Sequence, residues 1–151
     1  MLMVLAMAAV LVATYGVVVA SGQTELHLIA EYSRGALVDV HEDGTMGPGD
    51  TMVGRGPVFD ETGVTRMGSA YWDCTVQRAL DGDGLAVCDG VLKLEDGLIM
   101  MRGFDPEGTA EAPLAVTGGT GAYSTAQGDG TWADIETDSG WGTDIVIHLA
   151  A

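Results

Sequence analysis

From residue 24 onward the chain is written in a period of two, cut at short intervals by turn-forming residues. Leu26, Leu28, Ala30 and Tyr32 alternate with Glu25, His27 and Glu31. Ala70, Trp72, Cys74 and Val76 alternate with Tyr71, Asp73, Thr75 and Gln77, and Cys88, Gly90, Leu92 and Leu94 with Asp89, Lys93 and Glu95. Successive side chains of a strand point to opposite faces, so this pattern describes strands with one buried face. No stretch after residue 22 sustains helical spacing. Turn signals at Asp60-Glu61-Thr62-Gly63, Asp81-Gly82-Asp83-Gly84, Asp96-Gly97 and Asp138-Ser139-Gly140 divide the pattern. Strands are expected over 24–32, 50–59, 64–79, 85–94, 98–104, 112–117, 122–135 and 141–149. Residues 33–49 read as a loop with weak strand content, and 118–121 as a tight turn.

Eight strands in a meander leave two open edges unless the sheet closes on itself. Eight also suffice to enclose an interior that holds side chains or one small ligand. The expected fold is therefore all-β, an eight-stranded closed antiparallel β-barrel with an apolar lumen, spanning residues 23–151. Ahead of it, residues 1–22 carry no charge, and 1–20 form an apolar run. Such a segment is a signal peptide or a membrane anchor. Its small residues before Ser21-Gly22 suit cleavage, whereas the usual basic start is missing. Either way the domain is expected to be exported, secreted or anchored. Every charge lies in the domain: 22 acids against 6 Lys and Arg, a net −16. That balance repels nucleic-acid backbones and anionic lipid surfaces. Nucleic acid is excluded as a partner, and membrane contact is expected only through the N-terminal segment.

The two cysteines, Cys74 and Cys88, sit on opposite arms of the hairpin that turns at 81–84. Residues paired across that turn sum to about 162, which sets 74 opposite 88, 72 opposite 90 and 76 opposite 86. In an exported chain this favours a cross-strand disulfide. Two buried free thiols are the alternative.

Several motifs fail on inspection. Val116-Thr117-Gly118-Gly119-Thr120-Gly121 has the look of a dinucleotide-binding turn, but Ser124 stands where the third glycine belongs and no helix follows. Asp81-Gly82-Asp83-Gly84 does not begin a calcium loop, because Leu85 and Leu92 occupy ligand positions. No Cys/His spacing suggests zinc, and no Gly-x-Ser-x-Gly elbow is present. His27, His41 and His148 are scattered, with His27 and His148 on the outward face. No metal site and no cofactor are expected.

Two segments at their spacing carry a family resemblance: Gly49-Asp50-Thr51-Met52-Val53-Gly54-Arg55-Gly56, and Val116-Thr117-Gly118-Gly119-Thr120-Gly121-Ala122-Tyr123. Over residues 24–149 the chain resembles the allene oxide cyclase and dirigent superfamily. With Phe59-Asp60-Glu61-Thr62-Gly63, Met67-Gly68-Ser69 and Leu94-Glu95-Asp96-Gly97 it is most similar to the bacterial branch, which includes spirotetronate [4+2] cyclases. The resemblance implies an eight-stranded barrel whose shaped apolar interior holds one reactive conformer of a substrate. It also implies a homodimer or homotrimer. In the bacterial cyclases a lumen tryptophan follows the tyrosine of the glycine-rich turn by nine residues; here these are Tyr123 and Trp132. Other lumen aromatics of that branch fall on Gly54, Cys88 and a residue near Phe104, and the plant enzymes' lumen asparagine falls on Gly56. Neither polar constellation is kept.

Alternation nominates Tyr32, Met52, Trp72, Met101, Leu114 and Trp132 as the substrate-binding lumen. Asp134 shares the face of Trp132. A carboxylate turned into an apolar lumen holds its proton more tightly, which makes Asp134 the candidate proton donor. At the barrel mouth it would instead be solvated. Three functions are consistent with these readings: a cofactor-independent cyclase or isomerase acting on a reactive hydrophobic small molecule, an exported dirigent-like or lipocalin-like binding protein without turnover, and a filled barrel that works through its surface.

Overall fold

The computed structural model describes residues 23–79 and 83–150. Nine strands follow one another: β1 Gln23–Glu31, β2 Arg34–Val38, β3 Thr51–Asp60, β4 Arg66–Arg78, β5 Leu85–Leu94, β6 Gly97–Pro106, β7 Ala112–Gly119, β8 Gly128–Thr137 and β9 Gly140–Ala150. They run in the order β1-β9-β8-β7-β6-β5-β4-β3-β2, and β1 pairs also with β3. That last pairing closes an eight-stranded antiparallel barrel. Segment 1–22 and the tip of the 81–84 turn lie outside the described residues.

The ninth strand, β2, falls within residues 33–49, the stretch read as a loop with weak strand content. β1 and β2 lie along the same partner: Ala30 faces Val58, and four residues later Arg34 faces Arg55. They are one bent strand broken by a bulge at 31–33. The break is pinned by Ser33, whose N–H and hydroxyl both donate to the Arg55 carbonyl, at 3.1 and 3.0 Å. No alternation announces β2 because all five of its residues are exposed. Its ladder bonds to β3 hold it, with no buried face to leave a pattern. The rest of the loop is anchored by Asp50, which is fully buried. Its carboxylate accepts the N–H groups of Val40 and Gly47, at 2.9 and 2.8 Å.

The strand expected over 122–135 also changes. β8 begins at Gly128, and a short 3-10 turn occupies Gly121–Tyr123. Gly121 is left-handed at φ 62°, and a Cβ there would lie 2.3 Å from the Asp96 carbonyl oxygen. Only glycine lets the two turns cross so closely. Ala122 N–H then donates to that carbonyl at 2.9 Å. Tyr123 and the buried Ala126 pack on the core, so the Thr-Gly-Gly-Thr-Gly-Ala-Tyr segment closes one end of the barrel.

The core fills that same end. Leu28, Val58, Leu92, Ile99, Val116, Ile147 and Leu149 meet there, with Leu26, Leu94 and Tyr123 packed against them. Burying each large aliphatic side chain contributes about 1.5–3 kcal/mol. The hairpin register is as expected, with 72, 74 and 76 opposite 90, 88 and 86, and Cys74 and Cys88 are joined as a disulfide.

Candidate functional site

The opposite half of the barrel is hollow. A cavity of about 590 Å³ opens at the end where β1, β6 and β8 finish and β3, β7 and β9 begin. A packed interior does not tolerate a void of this size, whereas ligand sites span about 300–1,000 Å³. The barrel is thus packed at one end and hollow at the other.

Small residues set the depth of the walls. Trp72 is flanked across both neighbouring strands by glycine, Gly54 on β3 and Gly90 on β5. A Cβ at Gly54 would lie 2.1 Å from the Trp72 ring, and one at Gly103 would lie 2.9 Å from the Trp132 ring. Each indole therefore occupies the space that a neighbour's side chain would have taken. Met52 and Met101 add flexible apolar wall. The Cys74–Cys88 bridge borders the same space.

Polar chemistry gathers at the rim. The Tyr32 and Trp72 rings pack with centroids 4.8 Å apart. The Tyr32 hydroxyl donates to Asp134 at 2.8 Å and pairs with the Thr143 hydroxyl at 2.7 Å. Partial burial, helped by the negative charges of Asp134 and Asp105, holds the phenol protonated far above its ordinary range; the Thr143 hydrogen bond opposes this. Asp105 is half-buried in the same wall. Its desolvation, and then the charge of Asp134, push its carboxyl up from the usual value of 3.8.

Of the lumen residues expected from alternation, Tyr32, Met52, Trp72, Met101 and Trp132 line the cavity together. Leu114 does not. It faces inward but is buried in the core cluster, paired with Gly103, and the Trp132 ring covers that glycine. Asp134 is exposed at the mouth rather than desolvated inside. The carboxylate that burial does perturb is Asp105, which ending the fifth expected strand at 104 conceals. β6 runs on to Pro106, and Asp105 continues the inward series Ile99, Met101, Gly103. His27 bonds Asp144 at 2.7 Å and His148 lies 3.5 Å from Glu25, both on the outside of the barrel. Among the described residues no group of His, Cys, Asp and Glu is placed to hold a metal, and no helix is long and apolar enough to cross a membrane.

No family model and no curated protein matches the chain. Solved structures do. A pyocyanin demethylase superposes with a TM-score of 0.72 at 21% identity, over 84% of this chain and 100% of its own. A pterocarpan synthase dirigent protein gives 0.65 at 18%, over 85% and 94%. AbnU, an exo-specific intermolecular Diels-Alderase, gives 0.60 at 18%, over 85% and 99%. At such identities the likeness establishes a shared fold. The barrel is that of dirigent proteins and Diels-Alderases, in agreement with the resemblance read from the glycine-rich segments.

Proposed function

We propose that this barrel is a cofactor-independent cyclase or isomerase. It takes a reactive hydrophobic small molecule, a polyene, epoxide or polyketide intermediate, into its hollow half and steers intramolecular ring closure, with a [4+2] cycloaddition as one such reaction. The observation that carries the reading is the division of the cavity into a deep apolar part and a polar rim. Trp72, Trp132, Met52 and Met101 offer surface and shape but no charge. Such a wall lowers a barrier by restricting the substrate to a near-attack conformer. Tyr32, Asp134, Thr143 and Asp105 stand where a polar end of the substrate would reach. Where the reaction needs a proton, Asp105 holds one more tightly than an ordinary carboxylate, while Asp134 accepts the Tyr32 hydrogen bond and so orients that hydroxyl. The three neighbours are named for three different reactions. The fold therefore supports a small-molecule site without selecting the chemistry.

The second reading is capture without turnover by an exported carrier. The disulfide supports it, since such bonds persist in oxidising compartments. In either case the domain works outside the cytoplasm, on its own or as a homodimer or homotrimer, and meets a membrane only through segment 1–22.

Tryptophan fluorescence of the full chain, titrated with apolar polyenes and fatty-acid epoxides, tests both. Saturable quenching that Trp132→Phe weakens is expected. New enantio-enriched product from a bound epoxide or polyene establishes turnover; binding with no product after prolonged incubation selects the carrier. A folded protein that takes up none of the panel, nor an environment-sensitive apolar dye, defeats both.

A further inference from the structure

The outer wall carries a second pocket, which adjoins the cavity through Ser33, Arg34 and Tyr71 but differs from it in charge. The chain has six Lys and Arg against 22 acids, so each base has an excess of carboxylates available. Arg78 pairs with Asp83 at 3.0 Å and Arg102 with Asp89 at 3.7 Å. Arg34, Arg55 and Arg66 do the opposite. They line one pocket of about 240 Å³ with Ser33, Ser69 and Tyr71, and among the described residues none of the three has a carboxylate partner.

The register shows how the pocket is built. Arg34 on β2 lies directly opposite Arg55 on β3, and Arg55 lies opposite Tyr71 on β4, so three strands set these side chains in one outward row. Two residues along on the same face, Pro57 faces Ser69. Like charges set directly opposite each other on a sheet are destabilising. Arg66 donates through Nε to the Gly68 carbonyl at 3.3 Å, which leaves its two terminal amino groups free to bond a ligand. Half of the protein's positive side chains thus converge, unneutralised, on one hollow. The Ser33 bulge that bends β1 into β2 is what brings Arg34 there.

We propose that this pocket binds a doubly charged tetrahedral oxoanion, the phosphoryl group of a small solute. Guanidinium forks match such oxygens bidentately, and Ser69 and Tyr71 add neutral donors. The volume is about eight times the ~30 Å³ share of one water molecule, which suits one such group with part of its hydration. A small solute is favoured over a lipid surface. It feels the three nearby arginines, whereas the remaining net negative charge repels an extended anionic bilayer within about a Debye length.

The test is thermal and calorimetric titration of the full chain with inorganic phosphate, ionic strength being held constant with sodium chloride. Wild type is expected to show saturable binding and a rising melting temperature. Arg55→Gln should weaken phosphate by about tenfold or more, the scale of one lost charge-assisted hydrogen bond. Without phosphate it should melt no lower than wild type, because it relieves the repulsion with Arg34; this separates a lost ligand from a lost fold. Arg102→Gln, which removes the same charge on β6, two strands beyond the pocket, should bind within twofold of wild type. The proposal is overturned by the absence of saturable phosphate binding, or by equal losses in the Arg55 and Arg102 variants. Arg55-dependent binding to phosphatidylglycerol vesicles without any response to phosphate would overturn it too, in favour of a membrane contact.

Discussion

At Gly54 a single methyl group is enough to disturb the cavity. Its Cβ would sit 2.1 Å from the Trp72 ring, and that ring borders the cavity, into which it can yield. Gly54→Ala should cost about 1–3 kcal/mol, the usual penalty for overpacking, and should abolish ligand quenching. In the double variant with Trp72→Leu most of the stability penalty should disappear, since the clash has been removed. Chemical denaturation of the two single variants and the double variant measures the coupling; additive penalties would show that the two residues do not share the space.

Asp105 makes a prediction about pH. Its folded carboxyl lies above the usual 3.8 because of desolvation first and Asp134 second. A raised carboxyl means that the folded state binds more protons than the unfolded one in the interval between the two values. Stability therefore falls as pH rises through that interval and levels off above it. Asp105→Asn should remove this contribution. Melting temperatures of variant and wild type should coincide near pH 4 and separate upward, with the variant the more stable at neutral pH. Parallel curves would mean that Asp105 is solvated. The same substitution should slow any step in which the carboxyl gives its proton to substrate, while binding to the apolar wall persists.

At the scale of elements, the β4–β5 hairpin is held to its register by a covalent bond across it. Cys74 and Cys88 are 14 residues apart, and a loop of that length gives about 3 kcal/mol of stabilisation through the unfolded chain. Replacing both cysteines by alanine should lower the unfolding free energy by roughly 2–4 kcal/mol. Because the bridge borders the cavity, ligand affinity should fall as well; unchanged affinity would show that Trp72 is held by its glycine flanks alone. This hairpin was legible in the sequence because alternation, a turn signal and two cysteines all specify the same pairing. The same holds for Trp72, Trp132, Met52 and Met101, which lie on strands with one buried face. Legibility fails where no face is buried: β2 is exposed along its length and leaves no period to read. It fails again at 121–127, where β-like residues are bent into a turn by contact with Asp96, far away in sequence. Asp105 lay one residue past an assumed strand end, and the exclusion of Leu114 depended on where the Trp132 ring falls, which no alternation encodes.

The whole molecule has a direction. Gln23 pairs with Ala150 at the packed end, so the domain's N- and C-terminal strand ends leave together, beneath the core. The mouth lies at the other end, with Tyr32 and Asp134 on its rim. Seven residues of β1 separate Gln23 from Ala30, roughly 20 Å at strand rise. An attachment made at Gln23 therefore begins at the packed end, away from the opening. A tether joined at Gln23 leaves from that end, so the mouth is expected to stay open to solvent. Tethering should then be harmless. Protein immobilised through its N-terminus should bind apolar ligands with the affinity of free protein, whereas a bulky group on a cysteine substituted for Thr143 at the rim should block entry. Loss of binding on N-terminal tethering, with the rim modification tolerated, would mean that ligands enter from the packed end, and the division of the barrel into core and cavity would have to be redrawn.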